Sequence, residues 1–148
     1  MVIFRTAAVA SAALALGAGL LIALPAAPAA ASAADCAGGA NGFADISDNA
    51  SGTVQRSASR DGDTITLQST GGRGFAKIEG TTRSGESVWM DWTRDGGRTW
   101  LQCGPFPVDK GDNSSKTSPS KATSSDPNYR FRACALTLDQ AITCTDWW

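Results

Sequence analysis

The chain has 148 residues, with 13 Lys plus Arg against 14 Asp plus Glu, a net charge of −1 and no histidine. That balance supplies no basic field for nucleic acid and no polybasic patch for a membrane surface. Without histidine, Ser-His and Cys-His nucleophilic catalysis is excluded and the usual zinc sites lose their commonest ligand, so no metal or other cofactor is expected.

Met1 to Ala33 reads as a secretory signal peptide. Arg5 is its only charge, Ala7 to Leu24 is an apolar run, and Pro25 and Pro28 break it before Ala31-Ser32-Ala33 offers small residues for cleavage after Ala33. Half of the run is Ala or Gly, which argues against a membrane anchor. Asp35 and Ala33 do not give Cys36 the neighbours a lipid-modified cysteine needs. The expected product is a secreted, extracellular chain of residues 34–148, large enough for one domain and carrying a net charge of −2. It should act as a monomer with no membrane attachment.

Cys36, Cys103, Cys134 and Cys144 are an even set in an oxidising compartment, with no CxxC spacing. Four cysteines allow three connectivities. Cys134 and Cys144 fall on segments that read as one hairpin, so the pairing expected is Cys134 with Cys144 and Cys36 with Cys103.

Strand-like stretches recur between turn signals: 52–59, 64–68, 75–79, 87–93 and 99–103, with Asp61-Gly62, Gly71-Gly72, Ser84-Gly85 and Asp95-Gly96-Gly97 between them. No stretch keeps a helical period. The reading is all-β, a small antiparallel β-sandwich or meander with two disulfides. Residues 111–126 are almost wholly Ser, Thr, Lys, Asp, Asn and Gly, which reads as a flexible loop with no apolar area to bury.

Thr93-Arg94-Asp95-Gly96-Gly97-Arg98-Thr99-Trp100 carries the most local physics. A tight turn leaves backbone N–H groups unpaired, and the Asp95 carboxylate can accept them while Gly97 takes the positive φ. The stretch resembles the Asp-box, or bacterial neuraminidase repeat, through Thr93, Asp95, Gly97 and Trp100. The resemblance implies a structural turn with Trp100 packed on the returning strand, away from any catalytic site. With Trp89-Met90-Asp91-Trp92, Arg132-Ala133-Cys134 and Cys144, the same turn is similar to a combination found in small secreted actinobacterial proteins, which implies the same fold and compartment.

Facing Thr93 with Thr99 brings Trp92 opposite Trp100 and puts Trp89, Asp91, Leu101 and Cys103 on the other face. In the last hairpin, Cys134 opposite Cys144 aligns Arg132 with Asp146, Phe131 with Trp147 and Arg130 with Trp148.

Five Trp in so short a chain suit a non-catalytic interaction module, because exposed Trp beside Asp stacks on sugar faces while the carboxylate holds hydroxyls. Trp89 and Asp91, two apart on one strand face, and Trp148, at a strand end, are the candidate binding residues. The expected partner is a polysaccharide, cell-envelope material or an extracellular protein. The alternatives are a protein-binding or protease-inhibitor-like domain, and a small glycoside hydrolase built on a carboxylate pair drawn from Glu79, Glu86 and Asp91.

Overall fold

The computed structural model describes residues 32–148; the body of the expected signal peptide, residues 1–31, lies outside the described residues. Two short 3₁₀ segments, Ala33–Asp35 and Ala37–Gly42, lead into strands β1 (Phe43–Ala44), β2 (Thr53–Arg60), β3 (Asp63–Thr70), β4 (Arg73–Gly80) and β5 (Ser87–Thr93). Strands β6 (Leu101–Pro107), β7 (Lys116–Thr117), β8 (Ser120–Ala122), β9 (Arg130–Leu136) and β10 (Ile142–Cys144) follow.

These strands form two antiparallel sheets. One has the order β1-β8-β4-β3-β2, with β7 also paired to β4, and the other has the order β10-β9-β5-β6. Strand alternation explains why the sheets stack: Ile65 and Leu67 of β3 and Ala76 and Ile78 of β4 face Val88 and Met90 of β5 and Phe131, Ala133 and Ala135 of β9 in one buried cluster. Each large apolar side chain buried there stabilises the fold by about 1.5–3 kcal/mol.

Both expected disulfides are present. Cys134 and Cys144 are directly opposed across β9 and β10, and Cys36 joins Cys103 of β6 inside the core, where both are fully buried. The second bridge ties the segment before β1 to the far sheet, closing the sandwich at that edge.

Residues 111–126 are not a flexible loop. They contain β7 and β8, which pair with β4, and Thr117, Ser118, Ser120 and Lys121 are buried. Hydroxyls replace apolar area as the reason for order: Ser118 Oγ accepts the Ala76 N–H at 3.0 Å, and Ser120 Oγ accepts from Arg73 Nε at 3.0 Å. Pro119 sits in the gap between the two short strands, where its missing N–H costs no ladder bond.

Two registers also differ from expectation. Trp92 lies opposite Leu101, so Leu101 and Cys103 share the core-facing side with Met90, and Trp100 is left outside the ladder. The turn consumes one more residue than a Thr93–Thr99 pair allows, because Asp95 captures the Thr99 N–H from within it. In the last hairpin, Phe131 and Trp148 exchange N–H···O bonds of 2.9 Å, so Asp146 and Trp147 together oppose Arg132. That two-against-one arrangement is a bulge, and it turns Trp147 to the outer face of the sheet.

Candidate functional site

The outer face of the four-stranded sheet is built on Asp91 and Arg132, which are cross-strand partners on β5 and β9. Asp91 Oδ2 accepts from Arg132 Nε at 2.8 Å and Nη2 at 2.7 Å, a two-pronged charge-assisted contact. Burial pushes the Asp91 carboxyl above its ordinary pKa, and the Arg132 guanidinium opposes that shift. Oδ1 of Asp91 is buried with no partner, so the ion pair is what keeps this carboxylate tolerable inside the protein.

Arg132 in turn organises aromatic rings. Its guanidinium lies 4.8 Å from the Trp100 ring centre and 4.6 Å from that of Trp147, and the two indoles meet edge to face at 6.2 Å. Trp100 is 49% exposed. It therefore packs on the C-terminal segment and a cation, not on the returning strand as the turn motif implies. The turn itself forms as the sequence argues. Asp95 Oδ1 accepts the Arg98 and Thr99 N–H groups, each at 2.9 Å, and Thr93 Oγ1 donates to the same oxygen at 2.7 Å. These bonds, those from Thr99 foremost, hold the Asp95 carboxyl well below the usual carboxylate range.

Beyond Trp147, Trp148 turns into a cleft of about 490 Å³. Trp147, Trp148 and Tyr129 supply aromatic walls, Arg56 and Arg130 reach in from β2 and β9, and the 123–126 segment supplies hydroxyls and the Asp126 carboxyl. Trp148 is seated by Phe131, with ring centres 6.4 Å apart, and Tyr129 packs edge-on against the same Phe131 at 5.4 Å. The Tyr129 hydroxyl donates to the Ala122 carbonyl at 3.0 Å, which fixes the ring; burial raises its pKa.

The sequence candidates separate on this surface. Trp148 lines the cleft, whereas Trp89 and Asp91 offer nothing to a ligand: they are 5% and 1% exposed. The reason for Trp89 is Gly104 on the neighbouring strand, where a Cβ would stand 2.6 Å from the Trp89 Cβ. The missing side chain lets the tryptophan sink against the sheet. The sequence pattern marks none of Trp147, Tyr129, Arg56 and Arg130 as binding residues, and it aligns Arg130, not Arg132, as the cation beside a tryptophan. Arg132 takes that kind of role instead, with Trp100 and Trp147.

The carboxylates considered for catalysis have separate partners. Glu79 is paired with Lys77 at 2.8 Å, Asp91 with Arg132, and Glu86 accepts the Arg83 N–H at 2.7 Å and the Leu138 N–H at 3.2 Å. None of the three lines the aromatic cleft.

A second cation is enclosed by aromatic rings. The Lys121 amine lies 4.0 Å from the Trp92 ring centre and 4.9 Å from that of Phe43, and donates to the Asn41 carbonyl. Burial lowers its pKa, and the nearby Arg73 and Arg94 charges act in the same direction. Its contacts tie β8 to β1 and to the segment before it.

Among the described residues, no helix is long and apolar enough to cross a membrane. No protein-family model, curated protein or solved structure matches the chain.

Proposed function

We propose that the protein is a secreted, non-catalytic interaction module that binds carbohydrate or cell-envelope material in the cleft beside Trp147 and Trp148. The observation that carries this reading is the cleft's make-up: aromatic walls on a seated framework, with arginines and hydroxyls at the rim. Aromatic faces take the apolar side of a sugar ring while the polar groups take its hydroxyls. Two disulfides suit an oxidising compartment, and residues 1–33 read as an export signal.

The test is co-sedimentation of the purified protein with insoluble polysaccharides and cell-wall preparations, with the bound fraction read by tryptophan fluorescence. The reading expects retention on at least one matrix and loss of retention in Trp148→Ala. Arg56→Ala, at an exposed edge-strand position, serves as a second variant should Trp148→Ala unfold. Absence of retention on every matrix would overturn the carbohydrate reading and leave a protein partner as the occupant to seek.

A further inference from the structure

We infer that the cleft selects a sugar chain bearing carboxylates, a hexuronic acid polymer, through Arg56 and Arg130 acting as a pair. This rests on the binding reading above and names its ligand class. Arg56 and Arg130 both line the cleft, and neither guanidinium is engaged by a carboxylate among the described residues, in contrast to Arg60 and Arg132. Each has only a local carbonyl contact: Arg56 Nη1 donates to its own neighbour Gln55 at 2.6 Å, and Arg130 Nε donates to Pro127 at 2.7 Å. The terminal nitrogens of Arg130 and the remaining donors of Arg56 are left for a ligand.

The cleft's one acidic side chain offsets only one of the two charges. Asp126 Oδ1 is occupied by the Asn128 N–H at 2.9 Å and so closes its own turn. Two unpaired guanidinium groups against one committed carboxylate leave the cleft positive, on a chain whose overall charge is slightly negative. The positive charge is therefore local to this place.

A guanidinium fork matches the planar, two-oxygen geometry of a carboxylate. A hexuronic acid holds that group at the edge of a pyranose ring whose face remains free to stack. Trp147 and Trp148 line the cleft together with the two arginines, so one sugar ring can meet both kinds of group. A neutral sugar would meet the arginines through hydroxyls alone, with no opposite charge to match them.

The experiment compares soluble polygalacturonate with its fully methyl-esterified form by calorimetric titration, with poly(glycerol phosphate) as a third arm. The esterified polymer keeps the rings and removes the charge. A hydrogen-bonded charge contact is worth enough for a preference of about tenfold or more for the free acid. Arg56→Gln with Arg130→Gln should erase that preference, bringing affinity for the acid down to that for the ester; Arg56→Gln alone, away from the 123–130 turn, should reduce it. Equal affinity for acid and ester would overturn the inference while the binding reading stands. Tighter binding of poly(glycerol phosphate) than of polygalacturonate would overturn the carboxylate assignment. Binding to cell-wall material with none to either galacturonate polymer would do the same, and binding to nothing would remove both proposals together.

Discussion

The indole of Trp147 lies on the backbone of Gly97: a Cβ at Gly97 would stand 3.0 Å from Trp147 Nε1 and 3.2 Å from Cε2. Gly97 also has φ of +100°, so the turn after β5 needs glycine for its own conformation and for the tryptophan that rests on it. This one contact joins the Asp95 turn to the chain segment that walls the cleft. Gly97→Ala should cost about 1–3 kcal/mol. Gly96→Ala, also at positive φ but away from Trp147, should leave the tryptophan emission unchanged. A red shift confined to the Gly97 variant is the expected signature.

Arg132→Met should be strongly destabilising, by about 3–5 kcal/mol, because it strands the buried Asp91 carboxylate. Adding Asp91→Leu should recover much of the loss, since an apolar pair needs no solvation. Urea unfolding of the two single variants and the double variant measures this. A double variant as unstable as Arg132→Met would show that Arg132 acts mainly through Trp100 and Trp147.

Asp95→Ala should lower the melting temperature without changing ligand affinity, since its bonds are spent within the turn. The sign with pH follows from its depressed pKa. Stability from Asp95 is present above the unfolded carboxyl pKa of about 4 and is lost only as the pH falls well below it. Melting curves of the parent and the variant should therefore converge only in strong acid.

Asp63, which neighbours Glu86, gives the opposite pH dependence. Both are buried, at 1% and 2% exposure, and neither oxygen of Asp63 has a hydrogen-bond donor. Burial, and then the neighbouring Glu86 charge, push the Asp63 pKa up to about 6, with exposed Asp61 adding to the shift. On the elements around them, Arg60 is engaged by Asp139, and Arg83 reaches Glu86 through its backbone N–H. The folded pKa lies above the unfolded one, so this contribution is full below about pH 4 and is lost as pH rises through about 6. Asp63→Asn should add about 1–3 kcal/mol of stability at pH 7.5 and little at pH 4.5. Chemical denaturation at the two pH values checks it; an equal effect at both would contradict the assignment.

The Cys134–Cys144 disulfide and the Asp95 turn were legible because short-range geometry governs them, and Cys36–Cys103, 67 residues apart, then followed by elimination. Cys134 and Cys144 flank a hairpin, and an Asp followed by glycines specifies its own hydrogen bonds. The tryptophan roles were not legible, because one-residue slips at Leu101 and at the Asp146-Trp147 bulge move side chains to the opposite face. Those slips bring Trp100 and Trp147 onto Arg132 and leave Trp89 under Gly104. The strands at 116–122 were hidden for another reason. Their order comes from buried hydroxyls and a lysine, and polar composition gives no periodic signal for such contacts.

Under the proposed function, the cleft of Trp147 and Trp148, and not the Trp89-Asp91 face, receives the ligand. The most direct test follows the five tryptophan indole N–H resonances of the ¹⁵N-labelled protein during titration with soluble oligogalacturonate and with neutral oligosaccharides. Saturable shifts are expected at Trp147 and Trp148, a smaller one at Trp100 transmitted through its contact with Trp147, and none at Trp89. Shifts led by Trp89, or no shift at any indole with any saccharide, would contradict the proposed function.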